Sequence, residues 1–189
     1  SHKQRRGAAT KFRSNERGKR VEWLILQLEE NSENLEFDQW VSILEELSAK
    51  DSARACRYLV QNGLGRPNMG RVKSKMFQAM LINTPEDQLT PILESLVKQV
   101  SKMPEGHETA QALIVALGKQ AGKKGEVGYM SCVRPIFAGK NGLDMVIKYF
   151  TESAGQLSKE KSLEMIEKLG IVGKQKKEAT LAVAFQVRD

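Results

Sequence analysis

Residue types that commonly perform catalysis are scarce in this chain of 189 residues, which has two histidines and two cysteines. His2 follows Ser1 at a start without Met, and we interpret this pair as the remnant of a cloning tag. His107 stands where a helix is expected to begin, with no nucleophile or metal partner nearby. Cys56 and Cys132 lie on apolar-patterned segments, which predicts buried, reduced thiols. The sequence therefore predicts no enzyme, no metal site and no cofactor.

A glycine-rich stretch raises the question of nucleotide binding. Gly65 and Gly70 have the spacing of phosphate-loop glycines, but Arg71 and Val72 occupy the positions that require Lys and Ser or Thr. The stretch also follows a predicted helix, whereas a phosphate loop follows a strand. We therefore exclude a phosphate loop here.

Binding chemistry is indicated by the distribution of charge along the chain. Residues 1–20 carry a net charge of +7, residues 21–50 carry −7, and residues 51–189 carry +7. A concentrated basic segment is typical of proteins that bind nucleic acids or acidic partners. We predict a flexible basic arm over residues 1–15 and a single α-helical domain over residues 16–189.

A second basic region has no acidic residue from Ser52 to Pro85, although it contains six cations. Four of them lie between Arg66 and Lys75, around a turn rich in Gly, Pro and Asn. Arginine and lysine beside a helix N-terminus can bind phosphate. Aromatic residues are only 6% of the chain, so we expect contacts to phosphates and not to stacked bases. The predicted nucleic-acid contacts are Arg5, Arg6, Lys11, Arg13, Arg17, Lys19, Arg20, Arg54, Arg57, Arg66, Arg71, Lys73 and Lys75.

The elements that must position these residues are predicted to be helices. Apolar residues recur at helical spacing along the chain, as in Val21, Leu24, Ile25 and Leu28. Asp51 can cap one helix, and Thr84 followed by Pro85 at the first helical position predicts the start of another. Pro91 then predicts either a kink in that helix or a later start. Residues 179–188 fit a helix or a strand, and a helix is favoured because no other strand is predicted to pair with it.

One internal match suggests a repeat. Residues 37–47 (FDQWVSILEEL) align with residues 86–96 (EDQLTPILESL) at an offset of 49 residues. With eight to ten short helices joined by Gly- or Pro-marked turns, the chain resembles HEAT and armadillo-type helical arrays, whose repeats have ~40–47 residues. The resemblance implies an all-α fold of antiparallel helices in a superhelix or a compact bundle.

Two functions remain open at this point. The first is binding of RNA, or of another polyanion, by the basic arm and the basic turn. The second is a protein–protein adaptor or self-association module, in which the acidic segment 21–50 binds a basic arm or helix faces bind a partner. The −7 and +7 segments could equally contact each other within one chain. No apolar run reaches the roughly 20 residues that span a bilayer, and we expect a cytoplasmic or nuclear protein.

Overall fold

A computed structural model describes residues 2–59, 61, 70–103, 108–123 and 126–185. Side chains are described for these residues except 2–14, 32, 70–73 and 126–131. In this part of the chain there are ten α-helices and no strand, which confirms the all-α prediction. The helices are α1 (His2–Glu30), α2 (Phe37–Lys50), α3 (Ser52–Tyr58), α4 (Gly70–Asn83), α5 (Glu86–Val100), α6 (Glu108–Lys119), α7 (Glu126–Phe137), α8 (Gly142–Ala154), α9 (Lys159–Lys168) and α10 (Gly173–Ala184), with a 3-10 turn at Ser32–Asn34.

The helices alternate between two rows. In the even row, α2 contacts α4, α4 contacts α6, α6 contacts α8 and α8 contacts α10. In the odd row, α5 contacts both α3 and α7. Helices that follow each other in sequence, such as α1 and α2 or α9 and α10, join the two rows. Each helix thus packs mainly on its near neighbours along the chain, as in helical-repeat proteins.

The period of this arrangement is shorter than the 49 residues suggested by the internal match. The even helices begin at Phe37, Gly70, Glu108, Gly142 and Gly173, which are 33, 38, 34 and 31 residues apart. The matched segments begin α2 and α5, which lie in different rows. The match reflects a shared amphipathic pattern, because Leu44 and Leu93 are buried at the same helical position. The 49-residue offset is therefore not the repeat of the fold, and membership of the HEAT or armadillo class stays a prediction.

Of the two predicted helix caps, one is observed and the other lies one residue later than predicted. The Asp51 carboxylate accepts a hydrogen bond from the Arg54 backbone N–H at 3.1 Å and caps α3, as predicted. For α5, Pro85 occupies the N-cap position and the helix begins at Glu86. The Thr84 hydroxyl instead donates to the Met80 carbonyl at 2.5 Å, at the end of α4. Pro91 lies on the exposed side of α5, which runs from Glu86 to Val100 with the proline inside it.

Both ends of the described chain are helical. Residues 179–184 belong to α10, which confirms the helix prediction up to Ala184, while 186–189 lie outside the described residues. The backbone of α1 begins at His2, where the sequence predicts a flexible arm over 1–15. Ala, Arg, Lys and Gln dominate this segment, and all four favour a helix that can extend from the buried part of α1. The division into arm and domain itself stays a prediction.

A continuous apolar core runs between the rows from Val21 to Val183. At the first helices, the fully buried Trp40 donates its Nε1–H to the Tyr58 hydroxyl at 3.1 Å. The Tyr58 hydroxyl in turn lies 3.5 Å from the Leu28 carbonyl of α1. This chain of contacts fastens α1, α2 and α3 together. Cys56 and Cys132 are both buried and unpaired with each other, as predicted.

The even row depends on one close approach between α6 and α8. A Cβ atom placed on Gly118 would lie 2.8 Å from the Glu152 Cβ and 3.0 Å from the Tyr149 carbonyl oxygen. Gly155, at the C-terminal end of α8, has a helical backbone and room for a Cβ, the nearest atom being 3.5 Å away. The two glycines therefore differ in whether they tolerate a side chain.

We expect Gly118→Ala to lower the free energy of unfolding by about 1–3 kcal/mol, because the added methyl group forces α6 and α8 apart. Gly155→Ala serves as the matched control. It should leave stability unchanged or raise it by up to ~1 kcal/mol, because alanine restricts the unfolded chain. Urea unfolding followed by circular dichroism measures both. Equal stability of the two variants would contradict the close α6–α8 contact.

Candidate nucleic-acid interface

Arg20, a predicted nucleic-acid contact, has a partner inside the fold. Its guanidinium projects from α1 to α2, where Nε and Nη2 each donate to a carboxylate oxygen of Glu46 at 2.8 Å. The same guanidinium lies over the Trp23 ring, with Cζ 4.4 Å from the ring centroid. Hydrogen bonding to Arg20 holds the pKa of Glu46 below its ordinary value, and the charges of Arg20 and Lys50 act in the same direction. Arg20 therefore joins α1 to α2.

Three more of the predicted contacts are engaged in the same region. Arg54 of α3 forms an ion pair with Glu22 of α1. Arg17 donates from Nη2 to the carbonyl oxygen of Lys50 at 2.9 Å, at the C-terminal end of α2. Lys19 lies 3.6 Å from Glu16 on an exposed turn of α1, a pair of little energetic value.

These contacts show how part of the −7 segment is neutralised. Glu22 and Glu46 belong to the acidic segment 21–50, and their partners Arg54 and Arg20 come from the same chain. The Arg20–Glu46 pair joins the +7 and −7 segments within one chain, whereas Arg54 lies outside residues 1–20. Arg17, Arg20 and Arg54 hold α1, α2 and α3 in place, so their guanidinium groups are committed to the fold.

Two of the predicted nucleic-acid contacts differ from Arg17, Lys19, Arg20 and Arg54 in having no bound acceptor among the described residues. Arg57 near the end of α3 and Lys75 in α4 are both exposed. Neither forms an ion pair with any residue of the described ranges, and no acid lies between Ser52 and Pro85 in sequence. The helices that carry them contact each other. Arg57 and Lys75 therefore flank the basic turn with their charges available.

The other predicted contacts fall where the structure gives no side-chain position. Arg66 lies outside the described residues, while Arg71 and Lys73 lie in the first turn of α4 with only their backbones described. Arg5, Arg6, Lys11 and Arg13 lie on α1, again with only their backbones described. Whether these cations share one surface stays a prediction.

In the described ranges, His, Cys, Asp and Glu side chains form no cluster of three or more that could bind a metal ion. Burial raises the pKa of the Cys56 thiol to about 11, against a smaller lowering by the nearby charge of Arg57. A thiol in that state is a poor nucleophile at neutral pH. His107 lies outside the described residues.

A cleft of about 370 Å³ opens between the ends of α5 and α7 and the starts of α6 and α8. Its walls are mainly apolar, with Met103, Ile136 and Met145 among them, and Lys140 stands at its edge. It has no acid–base pair and lies among helices other than the α3 and α4 that carry Arg57 and Lys75. We therefore assign it no part in polyanion binding.

Exposed apolar side chains are the feature that sequence reasoning missed. Trp23 and Leu26 of α1 and Phe185 at the end of α10 are exposed. In α1 a signal was available, since both residues fall outside the spacing of the buried stripe that begins at Val21. At the C-terminus, Leu181 and Phe185 lie within residues 179–188, where a pattern that fits either a helix or a strand does not predict exposure.

Comparisons of the chain with protein-family models, with curated proteins and with solved structures found no match. No helix in the described part of the chain is long and apolar enough to cross a membrane. The function is therefore inferred from the geometry and charges of this chain's own residues.

The Arg20–Glu46 pair gives a prediction about acid stability. The folded-state pKa of Glu46 is lowered from 4.5, so the pair stabilises the fold above that pH. The contribution is lost as the pH falls through the lowered pKa. We expect Glu46→Gln to be less stable than the wild type at pH 7, with the difference shrinking as the pH falls below 4.5.

Urea unfolding of both proteins at several pH values measures this difference. Glu45→Gln, on the adjacent exposed position of α2, is the matched control and should match the wild type more closely at pH 7. A Glu46→Gln deficit that persists unchanged as the pH falls below 4.5 would show that the carboxylate charge is not its source.

Proposed function

We propose that the protein is a non-catalytic module that binds RNA, or another polyanion, through the junction between α3 and α4. The observation that supports this proposal is the contrast between two sets of cations. Arg17, Arg20 and Arg54 are bound to acceptors inside the fold, whereas Arg57 and Lys75 are exposed and pair with no described acid. Charges without internal partners are the ones that an anionic ligand can bind without breaking existing contacts.

The proposed surface is narrower than the one that the sequence predicts. It consists of Arg57 and Lys75 together with the cations of the turn and first turn of α4, namely Arg66, Arg71 and Lys73. The cations of α1 before Glu16 can add further phosphate contacts, while Arg17, Lys19, Arg20 and Arg54 are left out because they have internal partners. Contacts of this kind favour phosphates over base edges, so weak sequence preference is expected.

A double row of packed helices suits polyanion binding because it holds α3 and α4, and so the junction between them, in a fixed orientation. The backbones of α3 and α4 are held by α2, α5 and α6, which pack against them. Because these backbones are already held in place, binding through Arg57 and Lys75 would not require α3 or α4 to become ordered. An intracellular location, where RNA is found, is part of this proposal.

The test is a titration of a fluorescein-labelled single-stranded RNA of 30 nucleotides, with DNA of matched sequence in parallel, at two salt concentrations. The test variant combines R66E, R71E, K73E and K75E. The matched control combines K98E, K102E, K159E and K161E, four exposed lysines that lie in α5, directly after α5 and in α9. Both variants change the net charge equally, so only the location of the charges differs.

We expect the test variant to lose at least about tenfold in affinity, and to show a weaker salt dependence, because each phosphate contact to a single strand contributes about 0.7 to the slope. The control should stay within about threefold of the wild type, the change that long-range charge alone produces. Equal loss in both variants would reject the junction as the site. No binding by the wild type at low salt would reject the function itself.

A further inference from the structure

The exposed apolar side chains are unevenly distributed over the array. Seven large apolar side chains are exposed in the described part of the chain: Trp23, Leu26, Ile82, Leu163, Val172, Leu181 and Phe185. Two of them lie on α1, the first helix, and three lie on α10 or directly before it, at the last helix. Phe185 and Val172 are the most exposed, at 77% and 76%. Apolar exposure is therefore concentrated at the two ends.

This distribution is unusual for the ends of a helical array. An inner helix of a row has a neighbour on each side, whereas α10 contacts α8 in its own row and α9 beside it. Arrays that end in solvent normally present a polar face there, since an apolar face would bind another molecule. Exposed apolar side chains such as those of α1 and α10 are candidates for a surface that binds another molecule.

The exposed face of α10 combines apolar groups with positive charge. Lys174, Lys177, Leu181 and Phe185 follow each other at spacings of three or four residues and so share one face. Ala179 and Val183 are buried on the opposite side of the helix. A shallow groove of about 390 Å³ runs along this face, lined in part by Lys177 and Leu181.

The charge on this face is available for a partner. Lys176, at the edge of the groove, is bound to Glu167 of α9 at 2.7 Å. Lys174 and Lys177 are exposed, and neither pairs with an acid of the described residues. The face therefore presents Lys174 and Lys177 beside Leu181 and Phe185, with the half-buried Glu178 at its edge.

The exposed face of α1 has the opposite charge. Trp23 and Leu26 lie three residues apart, away from the buried stripe that includes Leu24 and Leu28. Two cations lie close to this face: Arg20 is over the Trp23 ring and bound to Glu46, and Lys19, one turn before Trp23, is beside Glu16. The exposed acids Glu29 and Glu30 follow Leu26 by three and four residues. Neither of these acids pairs with a cation of the described residues, so the α1 face presents apolar groups with negative charge at its C-terminal end.

We propose that the α10 face of one copy of this chain binds the α1 face of a second copy, head to tail. Apolar groups would meet apolar groups, and Lys174 and Lys177 would lie against Glu29 and Glu30. The two faces are different surfaces, so the contact is heterologous and each bound copy leaves one face open for the next. Association therefore continues into rings or chains and grows with concentration. This interaction is independent of the proposed RNA-binding junction.

The test is sedimentation velocity of the full chain over a concentration series, using two single-face variants. Leu26→Lys places a positive charge in the acidic face, and Phe185→Glu places a negative charge in the basic face. Both positions are exposed, so folding should be retained, and circular dichroism checks this. Leu181→Glu is the second variant for the α10 face. Ile82→Glu, at an exposed position of α4, is the control.

We expect the wild type and Ile82→Glu to exceed the monomer mass of 21.2 kDa progressively with concentration. Leu26→Lys and Phe185→Glu should each stay monomeric. An equimolar mixture of these two variants should form a dimer and nothing larger, because each variant contributes one intact face. A wild type that is monomeric at all concentrations, or a mixture that gives no dimer, would overturn the proposal. Either result would instead indicate a different protein or a further segment of chain as the partner.

Discussion

Packing of each even-numbered helix against the next one, from α2 to α10, is the interaction that organises this molecule. The contacts α2–α4, α4–α6, α6–α8 and α8–α10 form one unbroken row. Where α6 meets α8, the backbones come so close that only glycine fits at position 118. The second row covers the apolar side of the first and supplies the other half of the core. The double row positions the proposed RNA-binding junction and the proposed α1 and α10 faces.

At the N-terminal end, packing is supplemented by polar contacts that span three helices. Trp40 and Tyr58 bring a hydrogen-bond donor and acceptor into an otherwise apolar interface, where burying them unpaired would be costly. Around them, Arg20 and Arg54 reach from one helix to an acid on another. A similar arrangement occurs near the other end, where Arg134 of α7 donates to the Lys168 carbonyl at the end of α9 at 2.7 Å. Arginine thus serves in this fold to join helices as well as to carry charge.

The division of cations into engaged and available sets explains why net charge alone is a poor guide to function here. The chain carries +7 overall, but its charges differ in what surrounds them. Arg17, Arg20 and Arg54 bind acids or a helix carbonyl, whereas Arg57 and Lys75 pair with no acid of the described residues. The same reasoning applies to α10, where Lys176 is bound to Glu167 and Lys177 is not. A cation is available to a ligand only when the fold gives it no acid.

The sequence by itself determined the local features. Apolar spacing identified the helices, because a period of 3.6 residues is a property of consecutive side chains, and it correctly marked Cys56 and Cys132 as buried. Asp51 was recognisable as a cap because capping involves residues three apart. The N-cap of α5 is Pro85 and not the predicted Thr84, whose hydroxyl donates to the Met80 carbonyl in α4. The residues next to Thr84 in sequence do not indicate this hydrogen bond.

The tertiary structure decided what depends on distant parts of the chain. The spacing of the even helices could not be predicted from the 49-residue match, since amphipathic helices resemble each other whichever row they occupy. Likewise, the sequence does not distinguish Arg20 from Arg57. Folding brings Glu46, 26 residues away in sequence, to Arg20, so Arg20 joins two helices while Arg57 is left available for a ligand. The exposure of Trp23 and Phe185 also follows from which helices end the rows. Local periodicity fixes secondary structure, whereas the availability of a charge or an apolar face is set by what folding brings beside it.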